Sequence, residues 1–119
     1  EGRNDVPMIS VRTDVAPGDD GAELAEELSA AVAEGLGKPE DYVMVELQGA
    51  EMLMGGKAGA AGAVDVRSIG GRNGEINGRL AEAVTSILQR HLGVERDRVY
   101  VVFTSVSGES WAWKGKTFR

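Results

Sequence analysis

The chain has 119 residues and a formal net charge of −6, from nineteen acidic and thirteen basic residues, a size that suits one domain with an ordinary core. No Lys/Arg cluster interrupts the acidic balance, so a nucleic-acid backbone would be repelled, and no apolar run approaches the ~18 residues of a membrane span. Cysteine is absent, which excludes disulfides, thiolate metal sites and CxxC redox motifs.

The start Glu1-Gly2-Arg3-Asn4-Asp5-Val6 is polar and lacks the apolar core of a signal peptide. Pro7 to Thr13 follows, short and partly β-branched, with a proline where a strand tolerates one, at its beginning. Asp19 and Asp20 offer a cap and an acidic first turn. Leu24, Leu28, Val32 and Leu36 then recur every fourth position until Gly35 and Gly37 stop the pattern, which predicts an amphipathic helix of about four turns. Lys38-Pro39-Glu40-Asp41 is a turn, and Tyr42 to Leu47 is a second strand.

Met52 to Gly62 is rich in small residues and reads as a linker, because no GxGxxG or GK[ST] pattern opens a helix there to cradle a phosphate. Ala63 to Ser68 predicts a strand, Asn73-Gly74-Glu75 a turn and cap, the stretch to Leu92 a helix, and Val99 to Thr104 a strand. His91, the only histidine, lies late in that helix among solvated residues, where a surface role or a favourable charge at the helix C-terminus is expected. The tail Trp111 to Phe118 predicts a short terminal strand or ribbon.

The two halves repeat each other. Val11-Arg12-Thr13 matches Val66-Arg67-Ser68, and Gly37 with Tyr42-Val43-Met44-Val45 matches Gly93 with Arg98-Val99-Tyr100-Val101, at an offset of 55 or 56 residues. Two copies of so long a period imply a duplicated supersecondary unit rather than a solenoid. Each copy is β-α-β, so the prediction is an α+β domain (an α/β-type duplicated βαβ) with a four-stranded mixed sheet, two helices on one face and short terminal strands. Its parts are an extension at 1–6, βαβ repeats at about 7–50 and 62–105, and a ribbon at 106–119. Val43-Met44-Val45 and Val99 to Phe103 are apolar at consecutive positions, the mark of strands buried on both faces. Two helices cover only one face, which predicts a homo-oligomer with its sheets inside.

Pro7-Met8, Gly37-Lys38-Pro39 with Tyr42, Met54-Gly55-Gly56, Ser68-Ile69-Gly70, Asp97-Arg98-Val99-Tyr100, Trp113 and Thr117-Phe118 together resemble the macrophage migration inhibitory factor family of the tautomerase superfamily, from Pro7 to Phe118. The resemblance implies a βαββαβ subunit, a homotrimer with one pocket at each subunit interface, no cofactor or metal, and keto–enol tautomerisation of small aromatic 2-keto acids. It makes Pro7 the catalytic base. Lys38 becomes the anchor for the substrate carboxylate, with an ordinary exposed turn lysine as the alternative. Ile69 would act through its backbone. Tyr42, Tyr100, Trp111, Trp113 and Phe118, five of the six aromatic residues, would form the pocket wall, although Tyr100 could instead pack in the core and Trp111 stands where the family usually has a smaller aliphatic residue. The alternative the resemblance carries is a non-catalytic, cytokine-like protein that engages a cell-surface receptor. The expected location is cytoplasmic, or secreted without a signal peptide.

Three departures bear on this. Residues 1–6 precede Pro7 and make its nitrogen an amide without a basic lone pair, so the chain as it stands is expected to be a poor tautomerase. Either the extension is a cloning remnant or precursor segment, or the chain has abandoned the catalysis; Glu1-Gly2-Arg3 resembles a protease-linker tail, yet Asn4-Asp5-Val6 would survive cleavage at Arg3. The family's CxxC is replaced by Ala61 and Val64. A substrate-contacting asparagine is replaced by Val102, which makes the pocket more apolar.

Overall fold

The computed structural model describes residues 6–70 and 72–119; Glu1 to Asp5 of the expected extension lie outside the described residues. The elements run β1 (Met8–Thr13), α1 (Gly21–Leu36), β2 (Met44–Gly49), β3 (Gly62–Ser68), α2 (Gly74–Leu92), β4 (Val99–Ser105) and a terminal hairpin, β5 (Ala112–Trp113) with β6 (Lys116–Thr117). The four long strands form one mixed sheet in the order β2-β1-β3-β4. β1 is parallel to β2 and β3 to β4, while β1 and β3 run antiparallel where the two βαβ units meet.

Leu24, Leu28, Val32 and Leu36 of α1 and Leu80, Val84, Ile87, Leu88 and Leu92 of α2 are buried against Ile9, Val11, Val64 and Val66 of the central strands. At roughly 1.5–3 kcal/mol for each fully buried aliphatic side chain, this layer holds both helices on one face of the sheet. Local details differ from the sequence reading. Asp20 makes no capping hydrogen bond and α1 is entered through a 3₁₀ turn, Gly18–Asp20. Asn73, by contrast, caps α2 by accepting from the Ile76 amide at 2.8 Å. Gly35 does not stop α1 but lets α2 come close, since a Cβ there would stand 3.1 Å from Leu80 Cδ1; the stop is Gly37, with φ 65°. The second strand begins at Met44, because Glu40–Tyr42 form a 3₁₀ turn. The linker is a tight turn at Gly55-Gly56, clasped by Arg98, which donates to the carbonyls of Lys57, Gly59 and Ala60. His91 is no surface residue: its side chain is 9% exposed, with Nε2 2.9 Å from Glu27 Oε2 across the helix pair.

Within one chain the second face of the sheet is bare, so the expectation of strands buried on both faces is not met there. Met44, Tyr100 and Val102 are 62%, 67% and 54% exposed. The centre of that face is polar: Ser10 Oγ donates to Glu46 at 2.8 Å, and Arg12 lies 3.4 Å from Asp65. Its exposed large apolar side chains, Met44, Tyr100 and Val102, stand on the outer strands β2 and β4.

Candidate active site

Pro7 enters the sheet immediately before β1, where its missing N–H costs no ladder bond. Its carbonyl accepts from the Met44 amide at 3.2 Å, and its ring is less than 2% exposed. It lines a cleft of about 550 Å³ together with Tyr42, Met44, Trp111 and Trp113. Tyr42 meets the Trp113 ring edge-on at 5.7 Å, and Phe118 stacks on Trp113 at 6.5 Å. The hairpin holds this wall in place. Lys114 and Gly115 turn it with φ 55° and 79°, the Lys114 ammonium stands 4.6 Å from the Trp113 ring centre, and the Phe118 amide donates to the carbonyls of Gly108 and Trp111.

Lys38 reaches the same end of the sheet by a different route. The parallel crossover through α1 returns the chain to where β1 begins, since Met44 pairs with Met8. Gly37 in the left-handed region lets the Lys38 amide donate to Ala33 O at 2.9 Å and the Gly37 amide to Glu34 O at 3.2 Å, a Schellman closure. The side chain is not that of an exposed turn lysine. It is 9% exposed, and Nζ donates to the Ile69 carbonyl at 3.3 Å. Ile69 follows the end of β3, whose Arg67 pairs with Met8, so β1, α1 and β3 all deliver a site residue to one edge.

Pro7, Tyr42, Trp111 and Trp113 thus share one cleft, Phe118 backs it, and Lys38 is bonded to Ile69. Tyr100 is not brought there within one chain. It pairs with Ala63, whereas the Pro7 end of β4 is near Thr104, opposite Arg67; four residues at ~3.3 Å each separate them by about 13 Å. Nor does Tyr100 pack in the core, being two-thirds exposed, and Val102 shares its open face.

Two arginines escaped the sequence reading. Arg72 lies in a stretch that reads only as a turn, yet it donates to Ser68 Oγ at 2.9 Å, Asn77 Oδ1 at 3.2 Å and Ser105 Oγ at 2.6 Å, and burial lowers its pKa from the usual arginine range. It ties β3, α2 and β4 together beside Ile69, and Ser68 Oγ in turn donates to the Gly70 carbonyl. Arg67 lines a smaller cavity behind Trp111; strand alternation could have placed it on the open face but not beside the cleft. Among the described residues no group of three or more His, Asp or Glu side chains could hold a metal, and no helix is long and apolar enough to cross a membrane.

The profile of the family described as macrophage migration inhibitory factor (MIF) matches residues 6–119. The chain belongs to the MIF family. That family is part of the tautomerase superfamily. Among MIF relatives, the homologue from Trichuris trichiura is 30% identical over 95% of this chain and 100% of its own length, and that from Brugia malayi 28% identical over 95% and 99%. The fold matches the crystal structure of the MIF homologue from Prochlorococcus marinus with a TM-score of 0.90 and 36% identity, covering 94% of this chain and 99% of that one. MIF from Toxoplasma gondii gives 0.86 and 34%, covering 93% and 99%.

Proposed function

We propose that this MIF-family protein is a keto–enol tautomerase of small aromatic 2-keto acids, active when Pro7 is the first residue. The observation that carries the reading is the buried Pro7 ring in the wall of a cleft framed by Tyr42, Trp111 and Trp113. As a terminal secondary amine, its nitrogen would start from the α-amino range near 7.7–8 and be drawn toward neutrality by apolar surroundings and the Lys38 cation. Its lone pair then takes a proton from the carbon beside the keto group. The C–H bond breaks, its electron pair becomes the C=C bond, the carbonyl π pair moves onto oxygen, and that oxygen takes a proton back from the Pro7 ammonium or from water to give the enol; ketonisation runs the same steps in reverse.

Lys38 holds the substrate carboxylate, oriented by its bond to the Ile69 carbonyl, while the Ile69 backbone positions the substrate. The aromatic wall, with Phe118 behind Trp113, takes the ring. A homotrimer with sheets inside would cover Met44, Tyr100 and Val102 and bring a neighbour's Tyr100 to each Pro7 cleft, which one chain cannot do for itself.

One observation favours a second reading. With Val6 attached the Pro7 nitrogen is an amide, and a non-catalytic, cytokine-like protein acting through its outer surface needs no base. The two readings separate on the form that begins at Pro7. Turnover of phenylpyruvate by that form, lost on Pro7→Gly, supports the enzyme; an inactive protein that is folded and has the mass of a trimer by light scattering excludes it. Receptor-dependent responses that survive both the extension and Pro7→Gly would support the second reading.

A further inference from the structure

Behind Trp111 lies a cavity of about 220 Å³ lined by Met8, Arg67, Val106, Ser110, Trp111 and Ala112. Met8, Trp111 and Ala112 also line the Pro7 cleft, so the two spaces adjoin at these residues. Arg12, Arg72, Arg79, Arg90, Arg96 and Arg98 each engage a named acceptor. Among the described residues the Arg67 side chain engages none, and no carboxylate lines its cavity. Four of the other five lining residues are apolar, so Arg67 and Ser110 are the groups there that can recognise an anion. The Ser110 hydroxyl, which accepts from Ser107 Oγ at 3.4 Å, retains its own proton to donate. On a chain of net charge −6, capture of a small anion needs such a local cation.

We propose that Arg67 and Ser110 form a second acid subsite, so that the ligand is an aromatic keto acid bearing a further carboxylate at the far end of its ring. This rests on the tautomerase reading of the Pro7 cleft. Lys38 then takes the carboxylate beside the keto group, Tyr42 and Trp113 flank the ring, and the second carboxylate reaches past Trp111 to Arg67. Charge-assisted pairing of this kind contributes most where water is partly excluded. Because Arg67 is exposed, its contribution is also screened by salt.

The test is direct binding to the full chain, which requires no turnover. Cinnamate and 4-carboxycinnamate, unreactive acids with one and two carboxylates, are titrated by isothermal calorimetry at low and high sodium chloride. The diacid is expected to bind about fivefold or more tightly than the monoacid at low salt, and less so at high salt. In Arg67→Met, and in Arg67→Gln as a second neutral variant, that ratio falls toward one, while Arg67→Lys keeps much of it. A wild-type ratio near one, or a ratio unchanged in both neutral variants with native circular dichroism, overturns the Arg67 subsite alone. Failure of both acids to bind the folded wild type overturns the reading of the cleft as well.

Discussion

The two βαβ halves both end their helices on a left-handed glycine, α1 with a Schellman pair of hydrogen bonds and α2 with the single bond from the Gly93 amide to Gln89 O, and then differ at the next residue. Gly37 and Gly93 both take left-handed backbone, with φ 65° and 69°. After Gly93 comes Val94, fully buried in the core; after Gly37 comes Lys38, nearly as buried, with its ammonium on the Ile69 carbonyl. The second half shows what the fold alone asks for at this position, an apolar filler. An ammonium costs desolvation there that a valine does not, a cost the proposed role of Lys38 in the cleft would account for. The strand starts diverge in the same sense. Pro7 corresponds to Gly62, where a Cβ would meet Leu88 Cδ1 at 3.3 Å; the first half spends this position on the cleft and the second on packing.

The sharpest way to break this contrast is to exchange the two residues' character. Val94→Lys should lose about 3 kcal/mol or more in urea unfolding, because it buries a charge without a partner. Lys38→Met should stay within about 1 kcal/mol of the parent, yet raise KM for phenylpyruvate about tenfold in the form that begins at Pro7. Equal stability losses would remove the distinction between the halves.

Gly35 and its counterpart His91 test the helix pair on which both halves rest. Gly35→Val should cost about 2 kcal/mol, since its first carbon already presses on Leu80. Smaller effects are expected at the matched caps. Gly37→Ala and Gly93→Ala should each cost about 1 kcal/mol for a side chain at positive φ, but only Gly37→Ala should also raise KM, because only that cap carries Lys38.

The smallest effect concerns Glu27, which joins α1 to the end of α2. Hydrogen bonding to His91 first, and to Arg90 next, holds its carboxyl below the usual 4.5. A carboxyl depressed in the folded state adds stability above its unfolded pKa and loses it as pH falls through the folded value. Glu27→Gln should therefore lower the urea midpoint slightly at neutral pH, and the gap from the parent should close as the pH drops below about 4.5. A gap that persists unchanged in acid would detach Glu27 from this role.

Hydrophobic periodicity and the repeat made the sheet and both helices legible, because these rest on spacing within each segment, whereas the unrepeated tail could be read only as a short strand or ribbon. What spacing could not reveal depends on contacts between segments. The depth of Lys38 follows from where the crossover returns the chain, and the role of Gly35 follows from Leu80 on the other helix. The distance of Tyr100 from Pro7 follows from the register of four strands. The aromatic wall was legible only through its resemblance to a known pattern, since two tryptophans near a chain end have no fixed partner in sequence. Arg67 and Arg72 stayed hidden because an arginine's environment, rather than its neighbours along the chain, decides what it does.

If Pro7 acts as a base through a free amine, steady-state turnover of phenylpyruvate depends on that amine. The form that begins at Pro7 is measured beside the chain that keeps Val6 and the residues before it, both at matched oligomeric mass. Freeing the amine should raise turnover at least about a hundredfold, the lower end of what a positioned base supplies. Equal rates in the two forms would contradict a base role for Pro7.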